Sequence, residues 1–411
     1  MKTNPIPDTS DIITADGWVD SKLVIVANGT LPGPSIEVYE GQTVIVHVKN
    51  NLPSEATSIH WHGLHQRDTP WMDGVAFVTQ CPIEPGQSFT YQFTAAPKGT
   101  FLYHSHIGVQ RTMGLYGPFI IRERTTEPMP DLTVIAADGY YLKPATADSV
   151  IINPGERFDC TIVANKQMNQ SYWIRAQTYK CGDDCGEQKI CNCMYSLDLE
   201  HDKVYQLVFI NMGQGKGWSH PVHMHGHAFY VLKMGYGSYN NITGLMTGEN
   251  MDVDCEDGVP RDVSFCNNAT WANASWLGGN VPGLELKSPP RKDTIIVPTG
   301  GYVVVRIKAD NPGVWFMHCH IELHNMNGMA VMINESFPKH PDPPKGFPRC
   351  GNFDYQGKGP GRYCPGEGFV AFICNMVVGG VVILVMHLVE KNGMIIFKVL
   401  ISSKASSEDF L

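Results

Sequence analysis

Apolar and polar residues alternate in short runs along most of the chain. Thr43-Val44-Ile45-Val46-His47-Val48 and Tyr302-Val303-Val304-Val305-Arg306-Ile307 are the clearest. A period of two puts successive side chains on opposite faces of a strand, so each run predicts a strand with one face turned to a core. Turn residues punctuate the runs, with 41 Gly and 28 Pro in 411 residues. The chain reads as all-β, built of β-sandwiches.

The runs also repeat. Pro85-Gly86-Gln87-Ser88-Phe89 opens a strand, and Gly99-Thr100-Phe101-Leu102-Tyr103-His104-Ser105-His106 follows. Pro298-Thr299-Gly300-Gly301-Tyr302 opens another, followed at a similar distance by Gly313-Val314-Trp315-Phe316-Met317-His318-Cys319-His320. A third copy lies between them, Pro154-Gly155-Glu156-Arg157-Phe158 and then Tyr172-Trp173-Ile174-Arg175, without the histidines. Upstream, Ile59-His60-Trp61-His62-Gly63 corresponds to Val222-His223-Met224-His225-Gly226 in the outer copies only. Three units follow from this repeat: residues 1–125, a middle unit over 126–195, and 196–368. The middle unit is short. The front half of a sandwich has no room between Arg124 and Pro154, which would leave open edges and an uncovered apolar face.

One run breaks the alternation. Residues 369–389 carry no charge, and at 1.5 Å per residue a helix of that length crosses a bilayer core of about 30 Å. Lys391, Lys398 and Lys404 follow it. The expectation is a transmembrane helix over 369–389 and a cytoplasmic tail over 390–411, with a buried core helix as the alternative. The start, MKTNPIPDTSD, has no apolar core of a signal peptide, which points to a true start upstream of Met1.

Composition narrows the partners. A net charge of −9 argues against nucleic acid. Twelve cysteines are many for a reducing compartment. Cys181, Cys185, Cys191 and Cys193 have spacings that also suit zinc, but no histidine falls within the cluster, and disulfides are favoured. Asn28, Asn169, Asn241, Asn268, Asn273 and Asn334 begin glycosylation sequons. Together these features predict a chain at the cell surface or in the lumen of the secretory pathway, with a cytosolic protein carrying reduced thiols as the alternative.

The chemistry concentrates in His318-Cys319-His320-Ile321-Glu322-Leu323-His324, with Met329 beyond. In a strand, His318 and His320 point one way and Cys319 the other, so one segment serves two metal sites through the Cys319 backbone. Cys and His with a weak axial Met form a blue-copper set, and histidines alone on the other face suit copper that meets dioxygen.

Four clusters carry the histidines: His60-Trp61-His62-Gly63; His104-Ser105-His106; His220-Pro221-Val222-His223-Met224-His225; and His318-Cys319-His320 with His324 and Met329. In this order they resemble the four copper signatures of multicopper oxidases. The resemblance covers roughly residues 17–350, including Trp71-Met72-Asp73-Gly74 and Val78-Thr79-Gln80-Cys81-Pro82, and the flanking sequence looks most like animal laccase-like members. It implies cupredoxin-like Greek-key sandwiches and four copper ions. His220, Cys319 and His324 would hold type 1 copper with Met329 axial, and His60 and His223 type 2 copper. His62, His104, His106, His225, His318 and His320 would hold the type 3 pair. It also implies that Asp73 and Glu322 deliver protons, and that Cys81 and Cys350 are bridged. A local Cys255–Cys266 link is a further expectation. His47, His65, His201, His227, His340 and His387 match no ligand position and are assigned structural or surface roles.

The function this implies is oxidation of phenols or aromatic amines coupled to reduction of dioxygen to water. Two other readings stand beside it. A metal-ion oxidase acting on Fe(II) or Cu(I) needs carboxylates beside His220 or His324. A non-catalytic copper-binding surface protein is suggested by the short middle unit.

Overall fold

The computed structural model describes residues 24–122, 133–146, 152–161, 196–212, 219–242, 245–255, 269–277, 279, 281–326, 328–348, 389–391 and 394–401. Within them the chain is strands and turns, with one five-residue helix and three 3₁₀ turns.

The first unit contains β1 (Ile36–Tyr39), β2 (Thr43–Lys49), β3 (Ile59–His62), β4 (Ser88–Thr94), β5 (Gly99–Ser105) and β6 (Tyr116–Arg122). They form a sheet of order β1-β6-β5-β3 and a facing pair β2-β4. The alternation of β2 is realised: Val44 is buried, Ile45 exposed, and Trp61, Tyr91, Phe93, Phe101 and Phe119 fill the core.

The middle unit contributes β7 (Thr133–Ala137), β8 (Tyr140–Thr146) and β9 (Phe158–Thr161) in one sheet of order β8-β7-β9. The Tyr172–Arg175 counterpart of the histidine strands lies outside the described residues, as do Cys181, Cys185, Cys191, Cys193, Cys266 and Cys350.

The third unit is the fullest sandwich. Its strands run β10 (Ser196–Leu199), β11 (Val204–Asn211), β12 (His220–Met224), β13 (Phe229–Gly235), β14 (Ser238–Tyr239), β15 (Met246–Gly248), β16 (Val253–Cys255), β17 (Ala269–Trp271), β18 (Arg291–Lys292), β19 (Thr294–Val297), β20 (Gly301–Lys308), β21 (Gly313–Cys319) and β22 (Ala330–Glu335), with helix α1 (Glu322–Met326) after β21. A sheet of order β10-β22-β21-β12-β19 packs on a second built around β18-β13-β20-β11. Between them lie Leu207, Phe209, Val303 and Val305 from one side and Met224, Trp315, Met317 and Cys319 from the other. The second sheet is also covered outside, by Val253, Trp271 and Val281 against Tyr302 and Val304. This is why β20 is apolar on both faces rather than alternating.

Residues 369–388 lie outside the described residues, and Val389 stands in strand β23 (Val389–Lys391). Among the described residues no helix is long and apolar enough to cross a membrane. The tail expected beyond a membrane instead supplies β24 (Met394–Ile401), which pairs in parallel with β11 in the second sheet. The run Met394-Ile395-Ile396-Phe397 has strand propensity, and β11 offers it a free edge opposite β20.

Candidate metal centre

The site forms where four strand ends from two units meet. β3 pairs antiparallel with β5, which sets His60 opposite His104. β12 pairs antiparallel with β21, which sets His223 opposite His318. His106, His225 and His320 each lie one residue past the end of their strand, while His62 closes β3. The eight rings interleave, with centroids 3.7 Å apart for His62–His223, 3.8 Å for His60–His225, 4.6 Å for His62–His320 and 5.2 Å for His106–His318.

Within this cluster four sets offer ligand atoms within 4.8 Å of one another: His60, His62 and His104; His60, His223 and His225; His106, His225 and His318; and His62 and His223 with Asp293. His220, Cys319 and His324 form a separate set. There the Cys319 Sγ lies 3.7 Å from His220 Nδ1 and 3.5 Å from His324 Nδ1, and the two nitrogens are 3.2 Å apart. Met329 is buried in the same core, and its carbonyl accepts from the Cys319 N–H at 2.9 Å. The strand argument therefore holds: Cys319 points into the third-unit core, and its neighbours point into the histidine cluster.

Six of the eight rings are oriented from behind. His60 Nδ1–H donates to the Asp73 carbonyl and His225 Nδ1–H to Asp73 Oδ2, both at 2.7 Å. His104 and His318 donate from Nδ1 to the carbonyl of the next residue, Ser105 at 2.8 Å and Cys319 at 2.9 Å. His223 Nδ1–H donates to the Asp293 carbonyl at 3.0 Å, and His62 Nε2–H to Asp293 Oδ1 at 3.1 Å. The opposite nitrogens face inward. His62 Nδ1, His104 Nε2 and His106 Nε2 are buried with no hydrogen-bond partner. A buried imidazole nitrogen without a partner is costly unless something binds it, and the donors are mostly imidazole nitrogens with one cysteine sulfur, beside the carboxylates of Asp73 and Asp293. The residues present fit copper.

Electrostatics agree. Burial pushes His62, His104, His106, His318 and His320 well below the ordinary histidine value, His220 and His225 to about 3, and His324 to about 4. Neutral imidazoles are what a metal needs. Burial likewise pushes the Cys319 thiol up to about 12, so a thiolate there requires a cation beside it. Burial opposes ionisation of Asp73, but the His225 and His60 rings outweigh it and hold the carboxyl below the usual range.

Glu322 lies at the edge of the cluster. Arg111 donates to it at 3.2 Å, Thr112 also contacts it, and Arg111 reaches the His320 carbonyl at 2.7 Å and lies against the His320 ring. A cavity of about 50 Å³ opens here, between the His104, His106, His318 and His320 rings and the Arg111–Glu322 pair.

The remaining histidines in the described residues have other partners. His47 meets Thr90, His201 meets Ser336, His227 meets Glu335, His340 donates to the Glu335 carbonyl, and His65 meets Tyr140. His387 lies outside the described residues. Cys81 is disulfide-bonded, with Sγ 3.6 Å from the Pro348 carbonyl. Sequence reasoning missed Asp293, Arg111 and Arg157. A signal for Asp293 existed: Arg291-Lys292-Asp293 runs straight into the apolar strand β19, placing charge at a buried strand end.

Two family models, both described as multicopper oxidase, match residues 11–126 and 157–338. The chain is 32% identical to an L-ascorbate oxidase of Brassica rapa subsp. pekinensis over 296 residues, 67% of this chain and 49% of that protein. It thus spans about half of that relative's length. It is 25% identical to Laccase-1 of Botryotinia fuckeliana over 491 residues, 79% of this chain and 80% of that protein. Among solved structures, Fet3p, a multicopper oxidase that functions in iron import, superposes with a TM-score of 0.59 at 22% identity, covering 79% of this chain and 89% of that one.

Proposed function

The chain belongs to the multicopper oxidase family, and we propose that it takes single electrons from phenols or aromatic amines and reduces dioxygen to water. The observation that carries this reading is the position of Cys319, whose side chain meets His220 and His324 while its backbone runs between His318 and His320.

His220, Cys319 and His324 would hold type 1 copper, with Met329 from the same core. His60 and His223 would hold type 2 copper, supported by the 3.4 Å approach of their Nε2 atoms. His106, His225 and His318 would hold one ion of the type 3 pair, and His62, His104 and His320 the other. Copper supplies one-electron exchange at the first site and multi-electron reduction of dioxygen at the second. The protein does the rest. Burial keeps water off the cluster rings, and Asp73 holds His60 and His225 while keeping a carboxylate inside the site. Glu322, which lines the cavity beside His320, would deliver protons there.

The metal-ion reading is less well supported. Glu322 is the carboxylate nearest in sequence to His324, and it is engaged by Arg111 and Thr112 on the cluster side. For location, the bonded Cys81 and the exposed Asn28, Asn241 and Asn273 support an extracellular or lumenal catalytic part.

Purified protein loaded with copper decides the matter. The expected result is an intense blue colour and oxygen uptake with a catechol. Rapid uptake with Fe(II) and none with catechol would favour the metal oxidase. Full copper binding without oxygen consumption would leave only a binding protein.

A further inference from the structure

The middle unit supplies no histidine to the cluster, yet two of its residues reach it. Arg157, just before β9, forks onto Asp293 with Nη1 2.9 Å from Oδ1 and Nη2 2.7 Å from Oδ2. Asp293 then serves both outer units at once. Its Oδ1 accepts from His62 of the first unit, and its carbonyl accepts from His223 of the third. Two residues before Arg157, the Pro154-Gly155 turn lies on His320: a Cβ at Gly155 would stand 2.8 Å from His320 Cγ.

The rest of the guanidinium is equally committed. Its Nη1 also donates to the Gly155 carbonyl at 2.9 Å, and its Nε to the Thr100 carbonyl at 3.4 Å. The Arg157 N–H donates to Asp138 Oδ1 at 2.9 Å, and Asp138 Oδ2 accepts from the Thr294 N–H at 3.2 Å. This also accounts for the glycine after His62. Gly63 has φ +89°, and a Cβ there would stand 2.6 Å from Arg157 Nη2 and 2.9 Å from Asp293 Oδ2. The motif leaves a gap, and the arginine fills it.

We propose that Arg157 of the middle unit is a positioning residue for the histidine cluster, fixing Asp293 in the orientation that steadies His62 and His223. The proposal rests on those histidines binding copper. A bidentate fork fixes the plane of a carboxylate as a single charge does not. A partner behind a metal-binding imidazole sets its tautomer and ring direction, and its loss weakens binding about 10–100-fold. The short middle unit thus keeps the turn and strand that close the cluster from the side the outer units leave open.

The test uses the full chain loaded with copper, read by copper content, the blue band, the type 2 electron paramagnetic resonance signal and the near-ultraviolet absorption of the coupled pair. Arg157→Gln should keep the blue band, which reports Cys319, and lose most of the type 2 and coupled-pair signals. Arg157→Lys keeps the charge without the fork and should restore only part of them. If Arg157→Gln does not fold, Arg157→Gln with Asp293→Asn removes both charges, and should keep the blue band and still lack the type 2 signal. Full type 2 and coupled-pair signals in the folded single or double variant would overturn the proposal alone. Wild-type protein that takes copper at Cys319 but none at the cluster would overturn the functional reading with it.

Discussion

At the scale of single residues, Cys319 and Asp73 separate the two halves of the proposed chemistry. Cys319→Ser replaces a soft thiolate donor with a hydroxyl that does not ionise at neutral pH. The expected outcome is loss of the blue band and of oxygen uptake, with type 2 and type 3 signals retained because the eight cluster histidines are untouched. Surviving activity would remove Cys319 from the electron path. Asp73→Asn keeps an acceptor oxygen for His225 and removes the charge. Losing a proton-transfer group costs about 10²–10⁴-fold, so reoxidation of the blue band by dioxygen should slow by about that much, while its reduction by a catechol is unchanged. Stopped-flow mixing under argon and then under oxygen separates the two, and unchanged reoxidation would exclude Asp73 from proton delivery. The histidine cluster was legible in the sequence because the repeat aligns His60 with His223 and His104 with His318. Asp293 and Arg157 were not, because their meaning lies in a contact across 136 residues that no local pattern encodes.

At the scale of elements, β21 carries the site on a strand whose faces do different work. Trp315, Met317 and Cys319 are buried in the sandwich, while Phe316 and His318 face the cluster. Trp315 is fully buried, and its indole N–H donates to the Asn311 carbonyl at 2.8 Å. Trp315→Ala should therefore cost about 3–5 kcal/mol of stability, as other buried Trp truncations do. Urea unfolding of the copper-loaded protein measures it, and a loss below about 1 kcal/mol would mean that the strand is not anchored by this side chain. The period of two was readable for β2, whose outer face is exposed. It was less informative for β20, because the second layer of Val253, Trp271 and Val281 buries its outer face too. The strand ends were not set by the alternation. His106, His225 and His320 leave their strands by one residue, and it is at these ends that rings from two sheets can interleave.

At the scale of the whole molecule, the three units also meet around Tyr140. His65 of the first unit contacts the Tyr140 hydroxyl of the middle unit at 2.7 Å, and Arg291 of the third lies over the Tyr140 ring at 4.4 Å. Burial, with the neighbouring His227, Arg67 and Arg291, pushes His65 down to about 3. An unfolded chain would protonate it near 6.5. Between those values the unfolded state binds the extra proton, so the contribution of neutral His65 is complete above about pH 6.5 and is lost as the pH falls toward 3. At pH 5 the loss amounts to about 1–2 kcal/mol, allowing for some solvent screening of a ring that is not fully enclosed. His65→Gln keeps a group able to hydrogen-bond Tyr140 and removes the titration. Its stability relative to wild type should therefore improve from pH 7 to pH 5 by that amount, with copper loaded so that the ligand histidines do not titrate. Parallel pH profiles for the two proteins would show that the junction opens before His65 takes its proton. A steeper fall in wild type would mean that neutral His65 stabilises the folded state at its contact with Tyr140, in the same middle unit from which Arg157 reaches the cluster.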